Sequence, residues 1–520
     1  MTRRTKSVRV ALGTLGLVAA STIVLTGCSG GGSTTTPTST TRGALVVGVT
    51  TDVKTLVPWT ATAFHDVYDV LPQLYDTLVG FDDQLNVVPA LAEKWTVSDD
   101  GLTYTFDLRQ GVKFSDGSDL DAQDVVDSYD TIKDPATKAA AAANLGGVAS
   151  VTATDASTVT IVLSAPDAAF LSKLAPVTMA ILPSGADLTK LATTPDGTGP
   201  FTLTSDTANQ SMTLTANDDY WGGEPTLASV EFRVIPDNAS IAAAMQSGNV
   251  QFAVFPDSVT AQTAGTGTDV LKENQLSYSA LMLNADKAGS VVADVNVRLA
   301  IQCAIDRDEV VQSAALGDGT VTGPITSPAF ASDPSDRPCP TQDLDKAKDY
   351  LAKAGYANGL TIKTLAPTAA VYAQGPAEAT DLQAQLAKVG ITLDLVTEDT
   401  TAYVNDWLAG TYDAAVARNG GQPDPDAMYN RYFISTGNLN KVAGYSSPEL
   451  DQLFAEGKAT TDLSQRQAIY KQISEQLEDN AAWVWLYTPI SYTVTANGVS
   501  GFTPMPNGSL QGLRSTSYAG

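Results

Sequence analysis

The chain has 520 residues, with 57 acidic against 31 basic side chains, one histidine and a formal charge of -26. A single hydrophobic core rarely grows beyond about 250–300 residues, so more than one core is expected, and 43% apolar residues can fill them. The negative charge excludes unspecific nucleic-acid binding. The lone His65 excludes multi-histidine metal centres and leaves little scope for a serine-histidine-aspartate site.

In chain order, residues 1–27 come first. Arg3, Arg4, Lys6 and Arg9 precede an apolar run from Val10 to Leu25, which ends at Leu25-Thr26-Gly27-Cys28. A cationic start, a short apolar stretch and small residues before a cleavage point describe an export signal. The end of this run resembles a bacterial lipoprotein signal, which implies removal of residues 1–27 and lipidation of Cys28. More than one acyl chain then holds the protein on the extracytoplasmic face of the cell membrane. The mature chain would carry a formal charge of -30. Residues 28–43, rich in Ser, Thr and Pro, read as a flexible tether.

A folded body is expected from about Ala44, where Leu45 to Val49 has strand character. Leu102 to Leu108 alternates with period two, placing Leu102, Tyr104, Phe106 and Leu108 on one face. Asp121 and Asp124 are placed as N-cap and third helical residue of a helix carrying Val125, Val126 and Tyr129. Strands are predicted at 157–163, 229–235 and 280–284, and Asp237 opens a helix through Met245. Residues 294–314 read as helical, as do 344–354, 377–389, 448–457 and 465–479. Strands at 361–364, 391–396 and 414–417 lie between them. The mixture predicts α/β lobes with helix-covered sheets.

Cys303 and Cys339 remain once Cys28 is lipidated, an even pair in an exported chain. A bond between them closes a loop of about 36 residues, worth roughly 3–4 kcal/mol on a chain-entropy estimate; the alternative is a buried free thiol beside a surface one. Catalytic signatures are missing: no phosphate-loop, nucleophile-elbow, zinc-helix or CxxC motif occurs. Asp99-Asp100 and Asp424 with Asp426 read as acidic turns rather than acid/base pairs. His65 reads as a satisfied surface or cleft histidine. No cofactor, no metal and no enzymatic step are expected.

The run from Ala92-Glu93-Lys94-Trp95 through Asp99-Asp100-Gly101-Leu102-Thr103-Tyr104-Thr105-Phe106 to Phe114-Ser115-Asp116-Gly117 resembles the signature of family 5 extracellular solute-binding proteins, the oligopeptide, dipeptide and nickel binders of ABC importers. Thr198-Gly199-Pro200-Phe201, Asn217 to Gly223, Val297 to Ile301, Ile305-Asp306-Arg307, Pro423-Asp424-Pro425 and Tyr445 to Asp451 follow in the family's order. The resemblance implies an α/β, bilobal periplasmic-binding-protein-like fold with an additional subdomain on the first lobe. Lobe one would take 44–286 plus 489–520, with the subdomain at about 82–195, and lobe two 287–488. Both Cys303 and Cys339 then fall in lobe two. The implied function is capture of short peptides in an interlobe cleft by a monomer, which presents them to the ABC permease in the membrane.

In peptide-binding relatives a segment of the type Trp-x-Gly-Asp-x-x-Asp-Pro supplies an aspartate for the peptide's amino terminus. The matching run here is Arg418-Asn419-Gly420-Gly421-Gln422-Pro423-Asp424-Pro425, with Gly421 in the place of that aspartate. Arg418 stands where the tryptophan would be, either holding a carboxylate or phosphate or forming a structural ion pair. The candidate ligand-binding residues are Arg418, Asn419, Gly420, Gly421 and Asp424, with Trp59, Phe64, His65 and Asn284. Another solute, such as an oligosaccharide or an anionic or modified peptide-like compound, is the alternative to a peptide.

Overall fold

Ala44–Val49 opens the ordered body as the first strand of a large mixed sheet in this computed structural model, which describes residues 42–520. The expected signal segment and Cys28 lie outside the described residues. Twelve strands of the described residues make up the sheet. In chain order they are β1 (Ala44–Val49), β2 (Phe201–Thr207), β3 (Ser211–Ala216), β4 (Ser229–Val234), β5 (Phe252–Phe255), β6 (Thr268–Asn274), β7 (Tyr278–Leu283), β8 (Gly319–Val321), β9 (Leu360–Ala366), β10 (Ile391–Thr397), β11 (Ala414–Asn419) and β12 (Trp483–Ala496). Their spatial order is β10-β9-β11-β7-β12-β5-β1-β4-β3-β2, with β6 and β8 also pairing with β12.

Two parallel clusters sit within this order, one at the β10 end and the other bounded by the antiparallel β3 and β2. β1 runs parallel to β4 and β5, and β9 runs parallel to β10 and β11. Parallel neighbours need a crossover, and the helix Gly375–Ala387 supplies one between β9 and β10. β12 joins the two clusters. Its first half pairs with β7, from Met282 opposite Trp483 to Ser279 opposite Tyr487, and its second half pairs with β5 and β6. The fold is bilobal α/β, of the periplasmic-binding-protein type.

The apolar interior follows the same division. One buried cluster gathers Leu45, Tyr75, Phe106, Tyr129, Phe170, Phe232 and Phe502, and a small one lies under β5 around Ile241 and Val494. Two more sandwich the other half of the sheet. One includes Leu281, Ile301, Cys303, Cys339 and Leu386, and the other is aromatic, built on Tyr278, Tyr429, Phe433, Trp483 and Trp485.

A separate four-stranded antiparallel sheet holds Ala92–Val97, Thr103–Leu108, Thr158–Leu163 and Val148–Asp155 in that order. Tyr104, Phe106 and Leu108 are buried from one face, as the period-two pattern predicted. The helix Ala122–Lys133 packs against this sheet. Asp121 accepts from the Gln123 N–H, and Asp124 reaches back to the Asp121 N–H at 2.8 Å, forming the predicted capping box.

Three readings change. The helical stretch at 294–314 is two helices, Val295–Ala304 and Arg307–Ala314, because Ile305 turns extended and Asp306 caps the second through the Glu309 N–H. Pro423-Asp424-Pro425 is no simple turn. Asp424 is the N-cap of the helix Pro425–Phe433, with proline at its first position. The hairpin of β2 and β3 was not anticipated.

Candidate functional site

The β7–β11 ladder sets the position of the site. Six consecutive residues of β7 are buried, and its register with β11 runs from Leu283 opposite Ala414 to Tyr278 opposite Asn419. Beyond that last pair the two chains continue as Gln275–Ser277 and Gly420–Pro423, and both border a cavity of 390 Å³. The opposite wall comes from residues 64–90 and 175–177, with Trp221 and the C-terminal segment 506–514. Phe64, Tyr68, Phe81, Val88, Pro89 and Val177 make most of that wall apolar.

The C-terminal segment is tied down by one backbone bond and two side-chain amides. Leu510 N–H donates to Tyr68 O at 2.8 Å, Gln73 donates to Leu510 O at 2.8 Å, and Gln511 donates to Phe81 O at 2.7 Å. Opposite it, Leu276 N–H donates to Pro506 O at 2.9 Å. Gly421 packs so closely on Leu276 that a Cβ would lie 2.1 Å from its carbonyl oxygen, whereas a Cβ on Gly420 would meet nothing within 4 Å. A side chain at 421 therefore requires the backbone of residue 276 to move. Sequence comparison with the peptide-binding pattern marks Gly421 as a lost acid; the structure adds that there is no room for one.

A second cavity of 580 Å³ adjoins the first at Phe64, Gln275 and Gly508. It lies beyond the carboxyl end of β1, with His65 and Asp69 on its wall. His65 Nδ1 is 2.6 Å from the Asp69 carboxylate, and burial pushes that carboxyl up, against the His65 hydrogen bond. Phe64 is 59% exposed, an unusual surface for a large aromatic ring, and stands between the two cavities.

Of the predicted residues, Phe64, Gly420 and Gly421 border the first cavity, and Phe64 and His65 border the second. The others are committed to internal contacts. The Trp59 indole is buried and donates to Ala180 O at 2.8 Å. Asn284 donates to Gly410 O at 3.0 Å and Lys441 O at 3.2 Å, pinning two loops instead of facing a cleft. Asp424 takes two bonds from Arg466, at 2.6 and 2.8 Å, in a buried fork. Asn419 donates to the Tyr278 hydroxyl at 3.2 Å.

Arg418 lies one ladder position deeper. It donates to Ser279 Oγ, Gln374 Oε1 and the Tyr487 hydroxyl, and its guanidinium sits over the Tyr372 and Tyr487 rings. Fully buried Glu378, 3.5 Å from Arg418, accepts from Ser279, Tyr372 and Tyr487. Arg418 is thus engaged by a network of side chains around buried Glu378.

Sequence reasoning missed Asp76 and Arg514, the acid and base in the first cavity's lining among the described residues. Asp76 accepts from Trp221 Nε1 at 2.8 Å, Thr198 at 3.1 Å and Tyr220 at 3.3 Å, and Arg514 Nη1 lies 3.5 Å away. Burial pushes the Asp76 carboxyl up; Arg514 and the three donors act against it. The segment Asn217 to Gly223 had been noticed as a family piece, yet nothing in it announced that Tyr220 and Trp221 would converge on a carboxylate some 145 residues away.

The arrangement is a cleft with both walls built from scaffold, and comparison with known proteins agrees. Residues 86–440 match the profile of bacterial extracellular solute-binding proteins, family 5 Middle. The chain belongs to that family. The glutathione-binding protein GsiB of Escherichia coli (strain K12) is 30% identical over 495 residues, covering 89% of this chain and 92% of that protein. Heme-binding protein A of Haemophilus influenzae is 30% identical over 477 residues, covering 84% and 85%. The structure of HbpA2 from Haemophilus parasuis superposes with a TM-score of 0.82 at 26% identity, covering 92% of this chain and all of that one. The periplasmic DppA of Helicobacter pylori in complex with the peptide STSA superposes at 0.72 and 27% identity, over 92% and 99%. As a solute-binding protein of an ABC importer, the molecule captures a solute between its lobes outside the cytoplasm and works with a membrane permease.

Proposed function

We propose that this solute-binding protein captures a short peptide or peptide-like compound and presents it to its permease. The observation that carries the reading is the end of the β7–β11 ladder. Ser277 and Gly420–Gln422 border the cavity past the last paired residues, Tyr278 and Asn419. An extended ligand can continue such a ladder with its own amide groups, while its side chains enter the apolar wall opposite. At 390 Å³ the cavity falls at the small end of ligand sites, suited to a few residues. Closure follows if the solute contacts both walls at once, since contacts made only in the closed state shift the equilibrium toward it.

In this reading residues 44–286 with 489–520 form lobe one, carrying the subdomain at about 82–195, and residues 287–488 form lobe two. The protein is a monomer, held at the outer face of the membrane through lipidated Cys28, with a disulfide between Cys303 and Cys339. Phe64, Gly420 and Gly421 border the bound solute, His65 lines the adjoining cavity, and Arg418 and Asn419 hold the end of β11 in position.

The test is mass spectrometry of solute released by denaturing the purified protein. Recovery of short peptides or peptide-like compounds is the expected result, and recovery of an oligosaccharide would sink the peptide reading in favour of a sugar importer.

A further inference from the structure

The first cavity has an unusual charge balance for a site meant to hold amino-acid-derived solutes. Its lining contains one acid and one base among the described residues, Asp76 and Arg514, and they face each other. Three neutral donors complete the Asp76 shell. Arg514 also donates to Gln511 O at 3.1 Å, Pro72 O at 3.0 Å and the Tyr220 hydroxyl at 3.2 Å. Gly421 offers no acid and has no space for one. The polar groups left in the lining are neutral: amides, the hydroxyls of Tyr68, Thr77, Ser277 and Ser509, and backbone.

From this geometry we infer that the part of the solute enclosed in the 390 Å³ cavity is uncharged and largely apolar, so that the protein selects a terminally blocked, cyclic or otherwise neutral compound over a free zwitterionic peptide. The inference rests on this cavity being the solute site. An ammonium group brought here would lose its water and find Asp76 already saturated. A carboxylate would have to compete with Asp76 for Arg514. Either leaves its desolvation uncompensated, which sets at least a tenfold preference against it. A neutral solute with an apolar body loses little on entering and gains the apolar wall formed by Phe64, Tyr68, Phe81 and Val177.

The experiment is calorimetric titration of the full chain, stripped of solute by denaturation and refolding. The probes are a valyl-phenylalanine dipeptide with free termini, the same dipeptide acetylated and amidated, and glutathione. All are small enough to be enclosed. The blocked dipeptide is expected to bind at least tenfold more tightly than either charged probe. In Arg514→Gln, which leaves the Asp76 carboxylate unpaired, the free-terminus dipeptide should regain at least tenfold against the blocked one. Equal or tighter binding of the free dipeptide by the unaltered protein overturns the inference, even if the variant does not fold. Should none of the three probes bind, the peptide reading fails, and the released native solute then decides charge on its own: a neutral one upholds the inference, and a charged one refutes it.

Discussion

Asp424 and Asp426 show how two carboxylates two residues apart come to lead different lives. Asp424 meets the Arg466 fork, whose guanidinium is also bonded to Gly457 O and covered by Phe330 and Tyr470. Among the described residues Asp426 makes no ion pair, and Lys173 acts on it only from a distance. It accepts from Asn430 at 3.0 Å and Tyr470 at 3.4 Å, and burial first, then the charge of Asp424, push its carboxyl above the ordinary range. A carboxyl with a raised value in the folded state binds its proton more tightly there than in the unfolded chain. Its contribution is therefore fully present below the ordinary carboxylate pKa and is lost as pH rises through the raised value. Asp426→Asn keeps an acceptor for Asn430 and Tyr470 and removes the charge. The variant should melt at a higher temperature than the wild type at pH 7.5, with the difference vanishing near pH 3.5. A constant difference across that range, measured by differential scanning calorimetry, would assign the effect to packing instead. Neither the ion pair nor the raised carboxyl was legible in the sequence, where both acids looked like turn residues. Their partners are 42 and 44 residues away, and only the fold brings them in.

Elements whose signals are local were read well from sequence. The helix Ala122–Lys133 announces itself through Asp121 and Asp124, because a cap needs only neighbours three residues away. Asp121→Ala removes the acceptor for the Gln123 N–H and should cost about 1 kcal/mol, read as a shift in urea midpoint without a change in slope. β7, β9, β10 and β11 were likewise placed to within about two residues, since short apolar or alternating runs between helical stretches have few other fates. β12 was not. Its 14 residues contain Pro489, which cannot donate to a ladder and normally argues against a central strand. Here Pro489 sits where β12 passes from β7 to β5 and β6, opposite Gly319 on the short β8, and its carbonyl accepts from Gln275. A residue that reads as a strand breaker marks the place where one strand changes partners. The site suffered the same limit: Gly420 and Gly421 were visible through the motif they occupy, while the wall around Asp76 and Arg514 depends on segments more than 400 residues apart.

At the scale of the molecule, a solute is captured between two lobes, and the placement of the two cysteines bears on whether stability and capture are separate. Cys303 lies in the helix Val295–Ala304 and Cys339 shortly before the helix Leu344–Lys353; these helices pack together, and the Cα atoms are 5.0 Å apart. Both residues are buried in the cluster that covers one face of the β7–β11 side of the sheet, remote in the chain from Gln275–Ser277 and from the turn of β12 at Pro489. A cross-link there shortens the unfolded chain's freedom by a loop of 36 residues and adds nothing to the crossing segments. The expected outcome for the double variant Cys303→Ser with Cys339→Ser is a loss of about 3–4 kcal/mol in unfolding free energy. Its solute affinity at a temperature where it remains folded should stay within twofold of the wild type. Loss of affinity without loss of stability, measured by titration beside urea denaturation, would place the pair in the closing motion. Unchanged stability under oxidising and reducing conditions alike would show that the bond does not form. Together with the blocked-dipeptide titration, this tests two separate expectations: that the cross-link contributes to stability alone, and that solute selection does not depend on it.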